Sequence, residues 1–239
     1  MTAERWTRTV REQLRLGRLL PLGGARDGAW ISEEAVGMML RRTAEGMRDV
    51  RLGRVRIELA DPQDAQESAV PAPPSALPPG PLLMTAECAV TASEPLPTTA
   101  ERLRTVLVAA AEGLGLVVAE VDLRVTDLLD GDEAEPETLP GRPPEPAPAG
   151  LSGDADSDLA AAAALTVAGV AHLTGTLGRS AHVEQRQQQG AALPRRHVRL
   201  ELAVSADHRA LDVAREVRLR VGQALPDHPT VAVLVTAVR

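Results

Sequence analysis

Residues Thr98–Val125 read TTAERLRTVLVAAAEGLGLVVAEVDLRV, and this stretch decides the fold class. Its first part places Leu103, Val106, Leu107, Ala110 and Leu114 on one face at helical spacing. Thr98-x-x-Glu101 has the form of a capping box, in which hydroxyl and carboxylate satisfy N–H groups of the first turn. Its second part alternates Val117, Ala119, Val121, Leu123 and Val125 with Glu120, Asp122 and Arg124, the period of a half-buried strand. The same ending recurs at the C-terminus. Leu211, Ala214, Val217, Val221 and Leu225 form a helical stripe over about Asp207–Leu225, Pro226 and Pro229 stop it, and Val231, Val233 and Val235 follow. Val121 and Val233 lie 112 residues apart, so element order hints at a duplication.

Working outward, each ending has similar elements upstream. Ser32 is placed to cap a helix whose first turn holds Glu33 and Glu34 and whose stripe is Val36, Met39, Leu40 and Met47. Val55, Ile57 and Leu59 alternate with Arg54, Arg56 and Glu58 as a strand, and Met84, Ala86, Cys88 and Val90 do so with Thr85, Glu87 and Thr91. In the second half an Ala-rich helix is expected from near Asp158 to about Thr174. A weak polar strand follows at His182–Gln188, then a clear one in which Val198, Leu200, Leu202 and Val204 alternate with the outward Arg199 and Glu201.

Two segments, Asp61–Pro81 and Asp130–Asp156, are rich in Pro, Ala and acidic residues and read as mobile, the first as an inserted loop and the second as a linker. The expected architecture is α+β: two tandem two-layer helix/sheet domains, each helix-strand-strand-helix-strand. The boundaries are an N-terminal helix over 1–21, a first domain over 22–129 containing the loop 61–81, the linker 130–156, and a second domain over 157–239.

Composition removes several chemistries. The 239 residues include no Phe, Tyr, Asn or Lys, and Trp6 and Trp30 are the only aromatics. Without lysine there is no Schiff-base enzyme and no phosphate-loop lysine. Without surface aromatics, base-stacking nucleic-acid platforms are not available. The single Cys88 excludes an internal disulfide, and its place in the apolar register reads as a buried structural thiol rather than a nucleophile. His172, His182, His197, His208 and His228 are never closer than ten positions, so no short-spaced metal motif exists, although His197 and His208 could meet across a turn. Gly23-Gly24 reads as a turn, and Asp130–Glu137 as solvated linker, without the ligand pattern of a calcium loop. No catalytic residue, cofactor or metal is expected.

The net charge is −7 at a pI near 5.3, which disfavours non-specific binding to nucleic acid. The first 26 residues nevertheless carry six Arg against Glu4 and Glu12, a local excess of +4. Trp6, Val10 and Leu14 share one face of an amphipathic helix expected over about Ala3–Leu20, with Arg8, Arg11, Arg15 and Arg18 interleaved. Such a helix can pack on its own domain, dock on a partner or lie on an anionic membrane surface. Trp6, Arg8, Arg11, Arg15 and Arg18 are the candidate partner or membrane contacts. No stretch approaches the ~20 apolar residues of a spanning helix, and no secretory signal is present, so a cytoplasmic location is expected.

The arrangement resembles the alkaline shock protein family, the envelope stress response proteins of Gram-positive bacteria. Gly28-Ala29-Trp30-Ile31-Ser32-Glu33-Glu34-Ala35-Val36 is similar to the family's opening Gly-x-Ile-x-Ile-Ser-x-Glu-Val. Leu96-Pro97 through Gly113-Leu114 to Val118–Val125 resembles its Pro-led helix and Val-rich closing strand. Val167-Ala168-Gly169-Val170 resembles its Val-x-Gly-Val motif, where the first copy has Asp49-Val50 instead. The resemblance covers about 190 of the 239 residues as two divergent copies. It implies a non-enzymatic cytoplasmic scaffold that meets the membrane through a small membrane-anchored protein or a paralogue, with self-association open. The all-Arg, Ala/Pro-rich composition resembles that of high-GC actinobacteria. An α+β module binding RNA or a small ligand is the alternative, and it requires Arg54, Arg56, Arg195, Arg196 and Arg199 to cluster. The scaffold reading assigns binding to the N-terminal helix or to exposed sheet edges.

Overall fold

A computed structural model describes residues 16–129, 154–186 and 195–239. Nine strands and four helices follow in chain order among these residues: β1 (Leu19–Pro21), β2 (Ala29–Ser32), α1 (Glu33–Ala44), β3 (Val50–Leu59), β4 (Leu82–Thr91), α2 (Leu96–Leu114), β5 (Val118–Leu129), α3 (Ala155–Leu165), β6 (Val170–Leu173), β7 (Ala181–Arg186), β8 (Arg195–Val204), α4 (Ala210–Ala224) and β9 (Thr230–Val238). The fold is α+β, with two sheets.

Local chemistry explains most of these elements. Ser32 Oγ accepts the Ala35 N–H at 3.2 Å, and Glu33 and Glu34 precede Arg41 and Arg42 along α1, so both helix ends match the helix dipole. The box expected at Thr98 and Glu101 does not form. Pro97 starts α2 earlier, at Leu96, because its fixed φ suits a first turn, and Glu101 instead pairs with Arg104 at 2.5 Å. α2 ends at Gly115, whose φ of 102° favours glycine. The Ala-rich helix stops at Leu165 rather than Thr174. Gly169 takes a φ of 88°, and the β-branched Val170 then opens β6. α3 begins at Ala155, with Asp154 at its cap position, so the last residues assigned to the linker belong to the second half.

Each half has the same topology. In the first, β3 and β4 are antiparallel and α2 carries the chain to β5, parallel to β4. In the second, β6 and β7 share one edge of β8, both antiparallel, and α4 carries the chain to β9, parallel to β8. The halves differ beyond the closing strand. β9 has a parallel neighbour in β2, and β1 continues that sheet; the small sheet ends at β5. Residues 19–32 thus lie in the sheet of the second half, although the sequence pattern assigned them to the N-terminal helix and first domain. The helix expected to reach Leu20 gives way by Gly17, φ 65°, to β1.

One apolar cluster runs through both halves, from Ile31, Val36 and Leu40 through Met84, Leu103 and Leu107 to Leu200, Val217 and Val233. α1 touches β3 and β9, and α2 meets α4. A second, smaller cluster of Leu16, Leu19, Trp30, Val70, Ala232 and Leu234 covers the far face of the large sheet. Val70 belongs to the Pro-rich segment read as mobile, and here the structure corrects the expectation. Ala69 N–H donates to Ala25 O at 2.8 Å, Leu77 N–H to Leu19 O at 2.8 Å, and Trp30 Nε1 to Leu77 O at 3.2 Å. Prolines lower the entropy lost on fixing such a segment, and Val70 and the Trp30 ring supply the apolar contact that holds it.

Candidate functional site

Among the described residues, β5 is a strand that its own fold leaves largely uncovered. Only two of its twelve residues, Val121 and Leu129, are buried. β4 is its one strand neighbour among the described residues. Val121, Leu123 and Val125 stand opposite Met84, Ala86 and Cys88 and so face the core side, whereas Glu120, Asp122 and Arg124 stand opposite Leu83, Thr85 and Glu87 and face solvent. The core-side row outruns its cover, and Val125 is 42% and Leu128 57% exposed. The regular ladder spans Glu120–Val125 and is bounded by register shifts at both ends. Beyond β4, Arg104 Nε donates to Val121 O at 3.3 Å, and the Leu128 N–H turns to its neighbour's Asp127 Oδ1 at 2.9 Å.

The opposite edge, β3, is closed by side chains. Glu33 Oε1 accepts the Ile57 N–H at 3.1 Å and Oε2 the Arg18 N–H at 3.3 Å, while Arg18 pairs with Glu58 at 3.7 Å. A register shift between Leu52 and Val55 bends the strand. Carboxylates and bulges are the devices that keep an edge from adding strands. β5 has the bulge at Thr126, whose Oγ1 donates to Cys88 O at 3.3 Å, but no carboxylate on its central N–H groups among the described residues.

The other sequence-derived sites fare differently. Trp6, Arg8, Arg11 and Arg15 lie outside the described residues, as does most of the linker, and of that set Arg18 alone is placed, in the ion pair with Glu58. Cys88 is 1% exposed, and burial pushes its thiol pKa up, away from nucleophile behaviour. Gly23-Gly24 is a turn as expected, with the Gly24 N–H on Asp27 Oδ2 at 2.7 Å. His197 and His208 do not meet. His197 sits near the start of β8 with Nδ1 2.8 Å from Thr230 Oγ1, while His208 lies past its other end beside Asp207 and Gly169. No group of three His, Cys, Asp or Glu suited to a metal occurs among the described residues.

The five arginines required by the RNA alternative divide between β3 and β8, in different sheets. Arg196 is already held by Asp156 at 2.5 Å and Asp227 at 3.1 Å. Sequence reasoning missed Glu201, which alternation placed toward solvent. It is fully buried because the turn after β6 folds over it, and the Leu177 N–H donates to its Oε2 at 2.9 Å with Arg199 3.8 Å away.

A cluster of arginine contacts fastens the turn before β2 to α4. Arg215 Nε and Nη2 reach the two oxygens of Asp27 at 2.8 and 3.2 Å, and Arg218 donates to the backbone of Arg26, Asp27 and Val231. Burial alone raises the Asp27 carboxyl. The Arg215 bond, the Gly24 N–H and the charges of Arg215 and Arg218 outweigh it and hold the carboxyl below its ordinary range.

No helix among the described residues is long and apolar enough to cross a membrane. No family model, curated protein or solved structure matches this chain.

Proposed function

We propose that this chain is a non-enzymatic scaffold that binds protein partners by adding strands to β5. The supporting observation is the long, half-apolar edge itself: among the described residues no strand pairs with its rim, where Arg104 reaches only Val121 O, while the β3 edge of the same sheet is blocked by Glu33. Strand addition draws affinity from main-chain hydrogen bonds and specificity from alternate side chains. On β5 those side chains are Leu123 and Val125 on the core side, and Asp122 and Arg124 on the solvent side.

The resemblance of both halves to alkaline shock proteins supplies the setting in this proposal. The partner is then a small membrane-anchored protein or a paralogue, and the scaffold works in envelope stress at the cytoplasmic face of the membrane. The Arg-rich residues 1–15 provide the second contact, with anionic lipid or with the partner.

Cell fractionation tests both contacts. The full chain is expected partly with membranes. Removal of residues 1–15, or Val125→Lys, which puts an edge charge on the exposed apolar row, is expected to move it to the soluble fraction. Unchanged partitioning in both variants would sink the proposal.

A further inference from the structure

We propose that one strand partner of β5 is the β5 of a second copy of this chain, paired antiparallel with Leu123 opposite itself. This deepens the reading of β5 as a binding edge and rests on it. Three observations lead to the register.

The first is symmetry of face. Directly opposed residues in an antiparallel pair share a face, so the apolar row Val121, Leu123, Val125 meets its own copy only when residue numbers of opposed pairs sum to an even number. A one-residue slip would set Leu123 against Asp122 and turn the helices of the two copies to opposite faces.

The second is charge. With Leu123 at the centre, Asp122 of each copy lies opposite Arg124 of the other, twice, and Val121 lies opposite Val125, twice. Moving the centre to Asp122 places two carboxylates face to face, and moving it to Arg124 places two guanidinium groups face to face. Opposite charges across strands stabilise and like charges oppose pairing. Only the Leu123-centred register of the three satisfies both rows.

The third is geometry. Val121–Val125 lies wholly inside the regular Glu120–Val125 ladder with β4. The five-residue overlap, about 16 Å long, therefore avoids the irregular positions at both ends. Pairing in this register joins the two small sheets into one continuous sheet of six strands and brings the half-covered core-side rows together, including the exposed Val125.

Sedimentation equilibrium of the full chain, over roughly micromolar to submillimolar concentration, reads the dimer directly. A concentration-dependent dimer is expected. Asp122→Arg sets arginine against Arg124 and is expected to weaken the dimer at least tenfold; Asp122→Arg with Arg124→Asp restores the opposed signs and is expected to recover it to within a few-fold. Thermal melts read the monomer fold separately, since Arg124 also stands opposite Glu87. Leu123→Cys is expected to cross-link to itself on oxidation and Val121→Cys is not, because Val121 faces Val125; Cys88 stays buried.

A dimer indifferent to both charge variants overturns the inference by locating the interface elsewhere. A monomer at every concentration also overturns it, in two distinguishable ways. If Val125→Lys still changes membrane partitioning, the edge reading stands and another protein supplies the strand. If instead residues 118–128 exchange their amides slowly in the monomer, the chain covers its own edge and the edge reading falls too.

Discussion

β5 and β9 close the two halves in the same way. Each follows a helix from its half's middle strand and lies parallel to it. Yet seven of the nine residues of β9 are buried, against two of twelve in β5. The difference is not in the half's own topology but in what lies beside it. β9 has β2 on its free side, and its far face is covered by Trp30 and the segment carrying Val70. Among the described residues β5 has neither. Among them the same three-strand unit is thus finished in one half and left with an open rim in the other, and unpaired rims of this kind are where proteins accept strands.

The largest way to break this contrast is to uncover β9. Trp30 is 1% exposed and joins β2, β9 and the Pro-rich segment. Trp30→Ala is expected to cost about 3–5 kcal/mol, a fall in Tm of roughly 6–20 °C by calorimetry. Because one cluster runs through both halves, the transition is expected to shift as a single step; two resolved transitions would show that the halves unfold independently.

Next in size is the joint between the halves. At Gly115 an added Cβ would run into Leu211 of α4, at a φ that L-residues rarely adopt. Gly115→Ala is expected to lose about 2–3 kcal/mol in urea unfolding, with no change at the β5 edge.

Asp27 then tests how firmly β2 is fastened to the second half. Asp27→Asn keeps the shape but removes the charge paired with Arg215, and is expected to cost about 1–2 kcal/mol at neutral pH, less than a buried pair because Arg215 is half exposed. The carboxyl is depressed in the folded state, so its contribution is present above the unfolded pKa, near 4, and is lost as pH falls through the lower folded value. Denaturant titrations below about pH 4 should show a shallower acid loss in the variant than in the native chain. Equal slopes would remove Asp27 from the acid limb.

The smallest effect belongs to the open edge. Val125→Lys is expected to change stability by no more than about 0.5 kcal/mol, because the side chain is 42% exposed. A loss comparable with that at Trp30 would mean that the chain already covers β5.

Much of this was legible residue by residue. Ser32 caps α1, Cys88 lies in the buried row of β4, and the alternation of Val121, Leu123 and Val125 with Asp122 and Arg124 assigns the two faces of β5 correctly. The contrast with β9 also had a signal. Its TVAVLVTAV is apolar almost without interruption, as strands covered on both faces are, whereas VAEVDLRV alternates like a strand with one wet face. That signal marked β9 as covered on both sides without saying by what. Glu201 was misplaced because alternation assumes an open outer face, and the turn carrying Leu177 closes it.

The sequence by itself determined most of the helices and strands, though not β1 and β6, which face of most of them is apolar, and that one element order occurs twice, because periodicity and caps act within a few residues of the chain. The tertiary structure decided who stands next to whom. Trp30–Ile31 pairs with Leu234–Val235 some 200 residues away, the proline-rich segment becomes a cover, and among the described residues β5 alone of the two closing strands keeps an open side. These choices depend on the fit of surfaces formed only after the elements exist, so no local pattern encodes them.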